Sequence, residues 1–510
     1  MTASVPLPEA ALFYSPLGGS ARGKLLRTRV NRRLRRAGEI RSLLSASKLT
    51  ATALLIALPS FDLGTLIVRP VLPFAYAPEL VVVTRNSPTT RYIGPDGDYV
   101  GFEQDLVELF AKETGKPVRV LERNRLGDIL PMLHHRLAHL AAAGLSVTPQ
   151  RQSHVSFGPA YLTVRKAVVY NTDSVRPRSL HNLVGKRVAV LAASSSAEQL
   201  RAAARDVPGL EWEETPAANV DHLLELLSAG KIDYVVSDSH FIELARNFYP
   251  NIATAFTFGV PESLAWAMPK DADAELAASV QQFFDRIAAN GTLRILLDRH
   301  FGHVKRLDQG DIVAFLARRE TVLPQYAALF QEAQELTGID WRLLAALGFQ
   351  ESHWNPIATS PTGVRGLMML TGVTADRMGV TDRLDPRQNI LAGARYLQML
   401  KEALPPRIRE PDRTWISLAA YNVGYGHVED ARILAQRRGL SPDSWIDLKK
   451  TLPLLARSDY YTTVKRGFAR GGEAVILTEN VRNYYDILQR FEEPYRPLFA
   501  PSLTVSASLQ

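Results

Sequence analysis

The sequence predicts a two-domain protein, an α/β domain followed by an all-α domain, behind a basic leader. Three observations predict it. Strand-like apolar runs alternate with amphipathic helical stretches up to about residue 303, the order that builds a parallel sheet covered by helices. Extended runs then disappear, and helical periodicities dominate from about Leu307 to residue 495. The 510 residues, 46% apolar and 22% charged, exceed what one core organises yet are globular in composition.

The leader explains the charge. Residues 1–48 carry ten Lys/Arg, most of them between Arg22 and Arg41, against Glu9 and Glu39. That excess of eight equals the formal net charge of +8, so the chain from Leu49 onward is neutral. A nucleic-acid binder needs its positive footprint on the folded surface, and nucleic acid is therefore excluded as a partner. The chain has no cysteine, which removes disulfides, thiolate metal sites and cysteine nucleophiles. The basic stretch leads into an apolar run from Leu49 to Leu58 and later into Ala75-Tyr76-Ala77, a small-x-small cleavage pattern, so residues 1–77 read as leader and export signal. The apolar run is ten residues long, and Pro59, Asp62, Arg69 and Pro70 interrupt the residues beyond it; a membrane span needs about 20 apolar residues. An uncleaved anchor is the alternative.

The α/β domain is expected over 78–303. Residues 79–84 read as a strand, and 101–115 as a helix with Phe102, Leu106, Leu109 and Phe110 on one face and a glycine stop at Gly115. Further strands are expected at 117–121 and 186–191, the latter entering Ser194-Ser195-Ser196. A helix at 220–227 and a strand at 233–236 complete the pattern.

The all-α domain is expected over 304–500, with a flexible tail at 501–510. Leu323-Pro324 opens a helix with proline at an early position, and Gly338 closes it. Asp340 caps the next helix, and Pro356 bars its extension. On that helix Leu343, Leu347 and Glu351 are spaced i, i+4, i+8, so the carboxylate continues an apolar stripe. A carboxyl so placed loses solvation of its charged form and holds a proton toward neutral pH.

Three ordered motifs surround that position: Glu351-Ser-His-Trp leading to Gly366-Leu-Met368-Met369, then Ala419-Ala-Tyr421-Asn422-Val-Gly424, then Glu473 seven residues before Asn480-Val481. Together they resemble the soluble-lytic-transglycosylase family over roughly residues 320–490. The resemblance implies a goose-lysozyme-like α fold that cleaves the β-1,4 bond between N-acetylmuramic acid and N-acetylglucosamine in peptidoglycan strands. It implies that Glu351 is the catalytic acid and base, with no metal or organic cofactor. The muramic acid's own 6-hydroxyl then closes on C1, leaving 1,6-anhydro ends, so no second carboxylate is required, unlike common glycosidases. By motif position Ser360 is expected near Glu351 or the substrate, Met368 as an apolar wall of the substrate site, Tyr421 and Asn422 holding acid and sugar, and Glu473 as a substrate-side or supporting acid. Met369 stands where many members have glutamine. His353 and Trp354 are expected to be structural.

In the α/β region, Val100-Gly-Phe-Glu-Gln-Asp-Leu106, Ala143-Gly-Leu-Ser146-Val-Thr148-Pro-Gln-Arg151 and Gly230-Lys-Ile-Asp233 through Asp238 resemble extracellular solute-binding domains for polar amino acids, a two-lobed periplasmic-binding-protein-like fold. The resemblance implies a ligand clamp of Arg151 on a carboxylate, Ser146 and Thr148 nearby, and Asp238 on an ammonium. The run Ser194-Ser195-Ser196 at a helix start is a further anion-binding candidate. His139 stands where many relatives carry an acid, which leaves an ordinary amino-acid ligand unassured. Both domains in this order resemble a membrane-bound class of lytic transglycosylases, implying a periplasmic protein held peripherally at the outer membrane, its first domain regulating the second by sensing a muropeptide or amino acid. The alternatives are a lysozyme-type hydrolase on the same fold and a non-catalytic glycan- or amino-acid-binding sensor.

Overall fold

The computed structural model describes residues 70–496 apart from 95–96, 218 and 305–306. The basic stretch, the apolar run at 49–58 and the tail from 501 lie outside the described residues. No helix among the described residues is long and apolar enough to cross a membrane.

The first domain is built on one eight-stranded sheet. Its strands are β1 (Leu80–Arg85), β4 (Val118–Arg123), β5 (Leu140–Ser146), β6 (Val155–Asn171), β7 (Val188–Leu191), β8 (Glu213–Thr215), β9 (Tyr234–Asp238) and β10 (Ile252–Pro269). The short strands β2 (Tyr92–Ile93) and β3 (Tyr99–Val100) form a separate hairpin. The order is β4-β1-β5-β10-β6-β9-β7-β8. Strands β4, β1 and β5 are parallel to one another, as are β9, β7 and β8, but β10 and β6 pair antiparallel with each other and with their outer neighbours. The expected parallel sheet is thus a mixed one, with two parallel wings joined by two long antiparallel strands. The sequence concealed these strands because Arg165 and Lys166 interrupt one and Gly259-Val260-Pro261 reads as a turn in the other. In the structure that turn signal is a register shift between Phe258 and Glu262.

The expected elements otherwise form where their chemistry placed them. The Phe102–Thr114 helix stops at Gly115 in the left-handed conformation, and its Phe102, Leu106 and Phe110 are buried, with Leu109 packed at the core's edge. Ser194 caps the Ser195–Ala203 helix by accepting from the Ala197 N–H. Residues assigned to the leader also pack here: Phe74 is 2% exposed, stacks 6.4 Å from Phe110, and its N–H donates to Asp273 Oδ2 at 2.8 Å. His139 sews this segment down, its Nδ1 accepting from the Val81 N–H and its Nε2–H donating to the Leu72 carbonyl, both at 2.9 Å. Both nitrogens are therefore committed to backbone.

The second domain is helical from Gln309 to Phe491. Gly338, in the left-handed conformation, closes the Ala327–Thr337 helix, and a 3-10 turn at Leu323–Gln325 precedes it. Asp340 caps the Trp341–Ser352 helix through the Arg342 N–H at 2.8 Å. That helix ends before Pro356, because His353 turns left-handed and the Trp354 indole folds back to donate to the Ala345 carbonyl at 2.8 Å. Trp354 packs with Phe315 and Phe349 at ring separations of 5.5 and 4.8 Å, which makes it structural. His353 is exposed, with its carbonyl accepting from Arg318 Nε. Two apolar cores fill this domain, and Tyr421 packs against both.

The domains meet along a polar seam. Arg294, from the Thr292–Phe301 helix, is bidentate on Asp447 at 2.6 and 2.9 Å. Asp298 pairs with Lys449 and Arg482, and Asn247 donates to Asn483 at 3.0 Å.

Candidate active site

Glu351 lies on the last turn of the Trp341–Ser352 helix, continuing the face of Leu343 and Leu347, both buried. Burial alone pushes its pKa up to about 8. The loop at 358–370 is tied to the end of this helix, and three side chains hold its 365–368 stretch. Ser352 Oγ donates to the Leu367 carbonyl at 2.8 Å, so the residue after the carboxylate joins helix end to loop. Asn389, fully buried, accepts from the Met368 N–H at 2.6 Å and donates to the Arg365 and Arg383 carbonyls at 3.0 and 2.8 Å. Tyr421 donates its hydroxyl to the Met368 carbonyl at 2.7 Å. Burial and the nearby Glu351 charge push the Tyr421 pKa well up, so that hydroxyl stays a donor.

Glycine makes this close packing possible. Gly366 has φ of 84°, and a Cβ there would lie 2.2 Å from the Arg383 carbonyl oxygen. A Cβ on Gly393 would meet Met368 Cβ at 2.7 Å. Met368 itself is fully buried, an apolar wall behind the loop, while Met369 takes a left-handed φ of 49°.

The remaining expected residues fall differently. Ser360 spends its hydroxyl within the loop, on Thr362 Oγ1 at 2.9 Å and the Thr362 and Val364 N–H groups. Asn422 is exposed, at the end of the helix that buries Ala419 and Ala420. Glu473 is exposed in the first turn of the Gly471–Phe491 helix, paired with Arg470 at 3.4 Å. The acid that this helix buries is Glu479, which accepts from Trp445 Nε1 at 2.6 Å and from Arg482 at 2.8 Å. Sequence reasoning passed over Ser352, Asn389 and Tyr396, whose ring lies 5.4 Å from Tyr421. The signal available for Asn389 was an amide abutting Ile390-Leu391-Ala392.

In the first domain the expected clamp residues do converge between the wings, but on one another. Arg151 Nε donates to Glu198 at 2.9 Å, Nη2 to the Ala193 carbonyl at 3.0 Å and Nη1 to the Ser146 carbonyl at 3.3 Å. Asp238 pairs with Lys166, which is 0% exposed and also reaches Ser195 Oγ at 2.6 Å and Glu262 at 2.8 Å. Ser195 in turn donates to Ser146 Oγ at 2.9 Å, and Thr148 caps the Pro149–Gln152 helix through the Arg151 N–H. The space left among these groups is about 20 Å³. A larger cavity of about 650 Å³ opens further out, lined by Asn86, Tyr92 and Asn219 of the first domain and by Asp486 and Arg490 of the second.

The chain thus sets a half-buried carboxyl on a helix end beside a pinned glycine loop, in a helical domain that follows a two-winged α/β domain. Residues 328–441 match the transglycosylase SLT domain, and residues 80–303 match bacterial extracellular solute-binding proteins, family 3. The chain is 52% identical over 443 residues to the membrane-bound lytic murein transglycosylase F of Nitrosospira multiformis, covering 87% of this chain and 91% of that one. It is 48% identical over 431 residues to the protein of that name from Methylobacillus flagellatus, covering 84% and 91%. The chain belongs to the membrane-bound lytic murein transglycosylase F family and is a lytic murein transglycosylase. Among solved structures it is similar to an ancestral arginine-binding protein bound to arginine, at 24% identity and a TM-score of 0.41, over 44% of this chain and 98% of that one.

Proposed function

We propose that this enzyme cleaves the β-1,4 bond between N-acetylmuramic acid and N-acetylglucosamine with Glu351 as its acid and base, leaving 1,6-anhydromuramic ends. The observation that carries the reading is the placement of Glu351 at the end of a helix face whose Leu343 and Leu347 are buried, where desolvation pushes the carboxyl pKa up to about 8 and favours the protonated form at neutral pH. The neutral acid delivers that proton to the leaving glycosidic oxygen. The resulting carboxylate takes the proton of the muramic acid's 6-hydroxyl, which attacks C1 from within the same sugar, so no activated water enters. Tyr421 and Asn389 hold the loop against which the sugar lies. Exposed Asn422 and Glu473 face solvent where a glycan contacts them, Ser360 shapes the loop through its hydroxyl, and Met368 forms the apolar wall behind it. Digestion of purified sacculi followed by mass spectrometry tests this: products lighter by one water than reducing-end fragments are expected, with none from Glu351→Gln. Reducing ends instead indicate a lysozyme-type hydrolase, and no release a glycan-binding sensor.

We further propose that the first domain senses a cell-wall peptide or amino acid and regulates the second through the Arg294–Asp447 seam, and that the protein works in the periplasm, held peripherally at the outer membrane. Muropeptide titration is expected to change turnover in the wild type and to lose that effect in Arg294→Ala. Equal responses refute the coupling. Membrane fractionation of cells, with salt extraction of the outer-membrane fraction, tests the location.

A further inference from the structure

We propose that Lys166 is a tethered occupant of the cleft between the two wings, its ammonium filling a seat built by Asp238, Glu262 and Ser195 and excluding free amino acids from it. The inference relies on the sensing role proposed above only for the location of the cleft. A lysine ammonium has three N–H donors; this one donates to Ser195 Oγ at 2.6 Å and to Asp238 Oδ1, and it pairs electrostatically with Glu262 Oε2 at 2.8 Å. Lys166 is 0% exposed, and the Glu262 side chain only 7%. Two acids so placed hold a cation or carry a large desolvation cost, so the seat has the chemistry of a primary-ammonium site already in use.

The complementary seat is also taken. Arg151, the cation suited to a ligand carboxylate, is 5% exposed in its side chain and is engaged by Glu198 of the same chain. A free α-amino acid would therefore have to break two buried ion pairs, and about 20 Å³ of open space remains for it, room for a single water. The tether comes from β6, one of the two strands that cross the sheet, while its partners come from β9, β10 and the Ser195–Ala203 helix. The Ser195–Ser146 and Arg151–Glu198 bonds reach across to the other wing. The cluster thus latches the wings together from within, and a ligand is left the outer cavity of about 650 Å³.

The test uses the full-length protein. Calorimetric titration of the wild type with each free L-amino acid, arginine and lysine included, is expected to show no saturable binding. Lys166→Ala is expected to unfold at a lower temperature and to recover in a saturable manner with n-butylammonium chloride, but not with tetramethylammonium chloride, which offers no N–H. Where Lys166→Ala is not recovered folded, its refolding yield from urea with either salt reads the same seat. The proposal is overturned by saturable binding of a free amino acid to the wild type that Asp238→Asn abolishes, or by equal effects of the two ammonium salts on the variant. Muropeptide control of turnover is a separate readout, so sensing can fail while the occupied seat stands, and the reverse.

Discussion

Replacing Glu351 with glutamine is expected to stabilise the protein while abolishing its activity, and the size of the effect comes from the burial of the carboxyl. Folding raises the Glu351 pKa from 4.5 to about 8. The folded state therefore binds the proton more tightly than the unfolded one, and stability is lost as pH rises from the unfolded value through the folded one. Linkage puts the full cost at about 4 kcal/mol at pH 7.5 and about 1 kcal/mol at pH 5. Partial exposure and local relaxation reduce the neutral-pH figure to about 1.5–2 kcal/mol. Glutamine keeps the shape and removes the titration, so the stability difference between variant and wild type is expected to widen between pH 5 and pH 8. Urea unfolding monitored by the catalytic domain's tryptophan fluorescence across that range measures it. A difference that stays constant with pH refutes the buried-acid argument. Turnover in the wild type is expected to fall above about pH 8 as the proton donor is lost.

The loop pins, the seam and the leader boundary each give a further expectation. Asn389→Ala leaves the Met368 N–H and the Arg383 carbonyl unpaired in a buried site, the Arg365 carbonyl keeping the Leu370 N–H, and is expected to cost about 3 kcal/mol in unfolding free energy, with turnover falling more steeply than stability. Gly366→Ala, at φ 84° and 2.2 Å from the Arg383 carbonyl oxygen, is expected to cost at least about 2 kcal/mol by the same assay. Arg294→Ala leaves Asp447 in its buried place without its bidentate partner and is expected to cost about 3 kcal/mol, separating the two domains' melting transitions in calorimetry. Phe74 packs into the first domain's core, so the intact mass of exported protein is expected to include residues from at least Leu72 on; a mature start at Pro78 contradicts this.

Local chemistry written in consecutive residues was legible. The Asp340 cap, the Gly338 stop and the i, i+4, i+8 stripe ending in Glu351 needed only helix periodicity, and all three stand in the structure. Groups that converge from distant segments were not. Asn389 lies 21 residues beyond Met368, whose N–H it accepts, and nothing in its own helix says that it faces a loop. Strands β6 and β10 were hidden because a strand crossing two wings changes environment midway, so its apolar alternation breaks where it leaves one wing for the next. Arg151 and Asp238 line one cleft, but their partners, Glu198 and Lys166, lie 47 and 72 residues away and were invisible to motif reading.

The same physics governs both ends of the molecule with opposite results. In the cleft of the first domain, buried charges are matched: Lys166 has Asp238 and Glu262, Arg151 its carboxylate, and the cluster holds structure together. At the end of the Trp341–Ser352 helix, desolvation of the carboxyl is the whole cause of its shift, with no cation offsetting it, and its answer is to keep its proton. That destabilises the folded state at neutral pH, and the loop beside it is correspondingly over-determined by Ser352, Asn389 and Tyr421. A cation introduced at a solvent-facing position within reach of Glu351 is therefore expected to lower its pKa and to shift the alkaline fall in turnover to lower pH. An unchanged pH profile in a folded variant would mean that the proton used in cleavage comes from another group.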